Sequence, residues 1–344
     1  MIRVYTEKDF LENILFEAES YPTIHNIIQY HSEICLNMTD EELMEEEEKR
    51  DFIFEFLNSK GGRGITAYQT PFNNINTDSI YLLDELRALY ILDVDKETAE
   101  QLSEDYGIVV LSGHNLNEAA LNFHHDRDLS KDTVCENGSV IGWHELLDIN
   151  LPPFNSLVIS DEYLFKNEDG ERGEKNILQF IKAILPRGLK TDFHLLIIAP
   201  ENDLKNRTWC EQLCGRIKTA IKNLYLGYDV KFEIVFSETM HKRIAISNSF
   251  NIVPDKGFCI FRTNDLKTVI EDTDISIQGL FTRSAPEQGN TGLHKSNFRL
   301  KRIAVCCCSV KEYIGNRNDD KNKRIFGDCA RDKSIINRLI KEFS

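Results

Sequence analysis

Apolar positions recur every three or four residues over much of the N-terminal half, a period that is typical of amphipathic helices. A loop rich in Gly, Asn and Thr follows at 61–79, and a short continuous apolar run at 108–113 predicts a buried strand. Helix, strand and helix in close succession predict an N-terminal domain that is helical to α/β. The predicted helices cover 7–20, 23–36, 39–62, 95–107 and 115–125, and 79–94 begins as a helix and ends like a strand.

The C-terminal half has a more regular pattern, in which buried strands alternate with amphipathic helices. A Pro pair within 148–155 marks the domain boundary, so we expect one domain over 1–150, with a sub-boundary near 61–78, and a second over 151–344. Strand–helix–strand–helix–strand predicts a mainly parallel sheet flanked by helices. The predicted strands cover 156–164, 193–200, 229–237 and 299–310, and the predicted helices cover 176–185, 208–227 and 333–343.

Charge is distributed unevenly between the two halves. The formal net charge of the 344 residues is −15. Residues 1–173 hold 12 Lys and Arg against 36 Asp and Glu, a net of −24, whereas 174–344 hold 29 against 20, a net of +9. Opposed halves favour separate surfaces, one that engages a protein partner or masks the other, and one that attracts anions.

Cysteine content and hydropathy narrow the cellular context. Nine cysteines, three of them consecutive, suit reduced thiols better than a disulfide framework. We expect a cytoplasmic protein, because no apolar run has the roughly 18–20 residues of a transmembrane segment and the N-terminus lacks a secretory signal.

The sequence contains no strong metal-binding or cofactor-binding motif, so we expect neither a metal nor a cofactor. Asp93 and Asp95 could bind a metal, but capping of the following helix is the commoner use of such residues. His124, His125 and Asp126 form a weaker metal pattern in a polar segment.

The segment 236–258, FSETMHKRIAISNSFNIVPDKGF, carries the clearest chemistry. A histidine, a cation and a glycine follow one another at His241, Arg243 and Gly257, with Asn248 between them. Such a histidine can attack phosphorus, and an arginine can grip phosphate oxygens with two parallel hydrogen bonds. The spacing resembles one catalytic half of phospholipase D-type enzymes, which have aspartate where this chain has Asn248. The second half-motif is missing.

Residues 155–262 resemble, more broadly, the carboxy-terminal domain of microtubule-interacting-and-transport (MIT) domain proteins, a phospholipase D-like fold. The family's acidic-Asp-Pro-Tyr segment corresponds to ISDEYLF, with Glu162 in place of proline between Asp161 and Tyr163. Its later His-Asp-Arg segment corresponds to FSETMHKRIAISN, with Lys242 in place of aspartate. The resemblance implies a binder of acidic phospholipids without catalysis, and related domains occur in prokaryotic antiviral defence systems.

The leading prediction is a phosphate-recognising module in which His241, Lys242, Arg243 and Gly257 face an anionic ligand. That ligand is a nucleic acid, a nucleotide or a lipid head group. Asp161, Glu162 and Tyr163 are expected to support this site from the end of a neighbouring strand.

Two alternatives remain at this stage. One is a metal-independent phosphodiesterase or nuclease with His241 as nucleophile and Asn248 in support. Because it has a single half-motif, such an enzyme is complete only as a homo-oligomer. The other is a structural pairing, in which Arg243 and His241 merely satisfy nearby carboxylates such as Glu162.

Overall fold

The structure, a computed structural model, is mixed α/β and separates into two compact units. Of the described residues, 2–123, 152–154 and 279 belong to the first unit and the others to the second. The sequence placed the domain boundary between residues 150 and 151. The structure instead assigns residues 124–130 and 142–151 to the second unit. The structure describes residues 2–30, 32–49, 53–54, 65–130, 142–166, 170–200, 207–237, 243–279, 324–328 and 335–342.

The first unit is built on a parallel sheet with the strand order β3-β2-β1-β4-β5. The order reverses between β1 and β4, as in doubly wound α/β folds. Most side chains of these strands are buried, which is typical of a parallel sheet flanked by helices. The strands are β1 (Ile2–Thr6), β2 (Ser32–Leu36), β3 (Ile65–Ala67), β4 (Leu89–Leu92) and β5 (Val110–Ser112).

Two of these strands lie in the stretch whose period predicted only helices. Ile34 and Cys35 of β2 stand seven residues after Ile27 and Ile28, so the helical period continues across the start of the strand. Strand pairing with β1 outweighs that local pattern, since both strands bury apolar side chains in the sheet. The helical prediction for 32–36 is therefore wrong.

Capping residues mark the ends of two helices of the first unit. Thr39 accepts the N–H of Glu42 in a capping box, and Asp95 accepts the N–H of Thr98. Gly107 ends its helix in the left-handed conformation, with φ of 63°. The helices are α1 (Lys8–Phe16), α2 (Pro22–Tyr30), α3 (Asp40–Glu48), α4 (Gln69–Thr77) and α5 (Lys96–Tyr106), with a 3₁₀ helix at Ser79–Asp84.

The second unit is built on a mixed sheet with the strand order β13-β9-β8-β7-β10-β11-β12-β6. The neighbouring strands β7, β8 and β9 pair in parallel, whereas β10 pairs with both β7 and β11 in the antiparallel direction. The expectation of a mainly parallel sheet therefore holds for its centre alone. The strands are β6 (His124–Leu129), β7 (Ser156–Ser160), β8 (Phe193–Pro200), β9 (Val230–Ser237), β10 (Ile244–Ser247), β11 (Phe250–Pro254), β12 (Thr273–Gly279) and β13 (Arg324–Gly327).

Strand β6 replaces the end of a predicted helix. Residues 115–123 form irregular backbone and turns that lead into the strand, and His124 and His125 already pair with β12. Its segment HHDRDL is mostly polar and mostly exposed, so it has no apolar alternation from which a strand could be predicted.

Four helices accompany the second sheet in the part of the chain that the structure describes. The two long ones bury Phe180 and Ile217 among other apolar side chains, as their amphipathic pattern predicts. The C-terminal helix is held by the buried Glu233, whose carboxylate accepts the N–H groups of Ile336 and Asn337 at 2.9 Å. The helices are α6 (Trp143–Leu146), α7 (Glu171–Ile184), α8 (Arg207–Lys222) and α9 (Arg338–Glu342).

The predicted strand over 299–310 lies outside the described residues. Within the part of the chain that the structure describes, no helix combines the length and the apolar composition that a membrane crossing needs.

Candidate functional site

Asp161 follows the last residue of β7 and is fully buried. Its carboxylate accepts the N–H of Phe258 and the N–H of Tyr163, both at 2.7 Å. Burial raises the pKa of this carboxyl, while the two N–H donors and the nearby Arg243 act in the opposite direction. Asp161 therefore fixes the backbone at the end of β7 and is not available to a ligand.

Gly257 lies against Asp161, in the turn after β11. Its φ of +82° belongs to the left-handed region, and a Cβ at this position would stand 2.5 Å from Asp161 Oδ2. The glycine is therefore required for the close approach of two chain segments. This packing accounts for it without a phosphate.

Asn248 follows β10 at the opposite end from Arg243. It is buried, and its Oδ1 accepts the N–H groups of Asn155 at 3.0 Å and Ser156 at 3.3 Å. Five residues of extended chain span about 16 Å, so Asn248 and Arg243 do not share a site. The structure separates these two members of the motif.

Arg243 precedes β10 and reaches the turn after β7, since its neighbour Ile244 pairs with Ser160. Its Nη1 donates to the carbonyl oxygen of Asp255, and its Nη2 lies 3.3 Å from Glu162 Oε1. The guanidinium carbon stands 4.3 Å from the centroid of the Tyr163 ring. Arg243 thus contacts Glu162 and Tyr163, two of the three residues that the sequence predicted to support the site.

The turn after β7 presents Tyr163 and a further cation, Lys166. Leu164 and Phe165 are buried and anchor the turn, and Phe165 has a φ of +65°. Tyr163 is 42% exposed, and Lys166 Nζ lies 4.3 Å from the centroid of its ring. The same ring therefore contacts two cations.

The sequence did not predict Lys166 as a residue of this site. It lies in a polar segment without periodicity, and the one available signal was its position three residues after Tyr163. Its backbone N–H donates to the carbonyl oxygen of Tyr163 at 3.2 Å, which closes the turn and brings the ammonium group back over the ring.

His241 and Lys242 lie outside the described residues. The described cluster consists of Glu162, Tyr163, Lys166 and Arg243, and we call it the Arg243 corner. Arg243 Nε is buried and has no hydrogen-bond partner among the described residues.

Asp93 and Asp95, which the sequence offered as metal ligands, have other contacts in the structure. Asp95 caps α5, and Asp93 Oδ1 lies 2.7 Å from His114 Nε2. In the described ranges, no group of three or more His, Cys, Asp or Glu side chains could hold a metal ion.

Comparison with known proteins adds no further constraint. No protein-family model, no curated protein and no solved structure matches this chain.

Proposed function

We propose that the second unit binds a phosphate-bearing anion at the Arg243 corner, and that the protein acts there as an anion-recognising module. The observation that carries the proposal is the placement of two cations, Lys166 and Arg243, within 4.3 Å of the centroid of the Tyr163 ring. Cations held at one exposed ring are positioned before a ligand arrives, which lowers the entropic cost of binding.

The charge at this corner supports an anion over a neutral ligand. Glu162 offsets part of the positive charge, but its contact with Arg243 Nη2 is long at 3.3 Å. A phosphate oxygen can take the place of that carboxylate, because guanidinium donors bind phosphate and carboxylate with the same geometry.

Phosphodiester cleavage receives less support from this geometry. A catalytic half-site of the phospholipase D type needs its histidine, cation and carboxylate position together, whereas Asn248 stands about 16 Å along the strand from Arg243. Binding is therefore the proposed function, and catalysis through His241 is the competing one.

The test is a titration of the full-length protein by calorimetry with pyrophosphate, single-stranded DNA and vesicles of phosphatidylserine. We expect at least one of these probes to bind with a salt-dependent affinity. The variants Arg243→Gln and Lys166→Gln should each weaken that binding about threefold to tenfold, because each removes a charge-assisted contact.

The matched control is Lys222→Gln, which removes one positive charge from a separate cavity of about 730 Å³ that is also lined by Lys218 and Lys231. An equal loss in this control would place the anion elsewhere and overturn the proposal, as would the absence of binding by every probe. Hydrolysis of a phosphodiester that is abolished in His241→Ala would establish the competing function.

A further inference from the structure

The first unit contains an open cavity of about 700 Å³ on one face of its parallel sheet. This volume lies in the range of about 300–1,000 Å³ that is usual for small-molecule sites. The floor is formed by Tyr5 of β1 and Tyr90 of β4, whose rings stack 5.0 Å apart with an interplanar angle of 7°. Neither the sequence motifs nor the Arg243 corner assigns a role to this cavity.

Two further tyrosines offer exposed rings to the cavity. Tyr68 is 38% exposed and meets the Tyr5 ring edge-on at 6.1 Å, and Tyr81 is 41% exposed. Large aromatic side chains that remain exposed around a concave site provide negative ring faces to a ligand. Such faces attract organic cations.

The charged groups that line the cavity are acidic. They are Asp40, Glu41, Asp84 and Glu85, and no lysine or arginine is among the described lining residues. Glu85 is already paired with Arg3. In the described part of the chain, the other three carboxylates take part in no ion pair. Among the described lining residues, the negative charge therefore exceeds the positive charge, which disfavours phosphates and nucleotides.

Arg3 contacts two residues that line the cavity, Glu85 and Tyr68, through a salt bridge and a cation–π contact. Its Nε lies 3.1 Å from Glu33 Oε2, and its guanidinium carbon stands 5.7 Å from the centroid of the Tyr68 ring. A guanidinium between carboxylates and a tyrosine face is the arrangement that a bound organic cation would repeat further inside.

We propose that the cavity binds a small organic polycation of the polyamine class. Its ammonium groups pair with Asp84, Asp40 and Glu41, and its methylene segments lie over the tyrosine rings. Alkyl segments gain from contact with the apolar ring surface, while the charged ends stay at the acidic and more open margin.

The position of two of these three carboxylates can be explained by the helix dipole alone, without a ligand. Asp40 and Glu41 occupy the first turn of α3, where the helix dipole favours negative charge in any case. Asp84 is instead the last residue of its 3₁₀ helix, so the dipole does not account for it. Asp84 is therefore the more informative position.

The experiment titrates the full-length protein with spermidine by calorimetry, with 1,4-butanediol as an uncharged comparison. We expect saturable binding of one spermidine, no binding of the diol, and weaker binding as salt is raised. Asp84→Asn and Tyr81→Leu should each lower the affinity about threefold to fivefold. Both side chains are exposed, and circular dichroism verifies that the variants are folded.

The control is Glu47→Gln, which removes the same charge from an exposed position of α3 that does not line the cavity. A loss in this control equal to that in Asp84→Asn would indicate diffuse attraction to an acidic chain and overturn the proposal. Absence of saturable spermidine binding would overturn it as well. So would a lysine-containing peptide that binds more tightly than spermidine, because the cavity would then serve a protein partner.

Discussion

Gly257 has no side chain because Asp161 occupies the space that a Cβ would need. The added atom would stand 2.5 Å from Oδ2 of a carboxylate that is fully buried and bonded to two backbone N–H groups. A glycine that looked like part of a phosphate site in the sequence is thus a packing requirement in the structure.

Gly257→Ala is expected to lower the free energy of unfolding by about 2–4 kcal/mol, from backbone strain at positive φ and displacement of the Asp161 hydrogen bonds. Urea unfolding at neutral pH measures this. The control is Gly215→Ala inside α8, where a Cβ meets nothing within 4 Å and should stabilise the helix by about 0.5–1 kcal/mol. A tolerated alanine at 257 would contradict the packing role.

Asn248→Ala is expected to cost about 2–4 kcal/mol, because the N–H groups of Asn155 and Ser156 would remain buried without an acceptor. Asn251 provides the comparison, since it is also buried but its Oδ1 has no hydrogen-bond partner among the described residues. Asn251→Ala should cost clearly less in the same urea experiment. Unchanged stability in Asn248→Ala would contradict this structural role.

Glu162→Gln should strengthen the binding of pyrophosphate about twofold to fivefold, because it removes the charge that competes for Arg243 Nη2. Calorimetric titration of the full chain measures the change. Glu171→Gln, at an exposed position of α7, removes the same charge and should leave the affinity nearly unaltered. A weaker affinity in Glu162→Gln would mean that Glu162 positions the arginine and does not compete with the ligand.

The second unit could be predicted in its central part because its strands and helices are long and strongly periodic. The continuous apolar run FHLLIIAP predicts a strand, and the apolar spacing of NILQFIKAIL predicts an amphipathic helix. Short elements of the first unit were harder to predict, since β1 and β2 have five residues each and adjoin helices whose period continues into them. Their identity depends on pairing with each other, and on the pairing of β1 with β4 and of β2 with β3, which no local pattern contains.

The candidate site, too, could be predicted from the sequence only in part. The position of Asp161, Glu162 and Tyr163 after a buried strand could be predicted from the pattern, and Arg243 lies beside two of them. Spacing alone could not show that Asn248 stands at the far end of β10, because five residues form either a compact turn or an extended strand. Lys166 could not be predicted either, since its contact with Tyr163 depends on the turn geometry.

Asp192 links the start of β8 to the C-terminal helix, and this link makes stability depend on pH. Its carboxylate lies 3.3 Å from His194 Nε2 and pairs with Arg338 of α9. The hydrogen bond from His194 and the charge of Arg338 hold the pKa of Asp192 well below its usual range. The folded state therefore favours the ionised form more than the unfolded state does.

The resulting stabilisation is fully present above the unfolded pKa of about 3.9, and it is lost as the pH falls through the lower folded pKa. Asp192→Asn should therefore cost about 1–2 kcal/mol at pH 7, and the difference from the wild-type protein should shrink below about pH 4. Urea unfolding at pH 7 and pH 3 measures both values. Asp229→Asn, at a side chain that is 84% exposed, should have little effect at pH 7. A difference that stays constant down to pH 3 would show that Asp192 acts through its shape and hydrogen bonds, not through its charge.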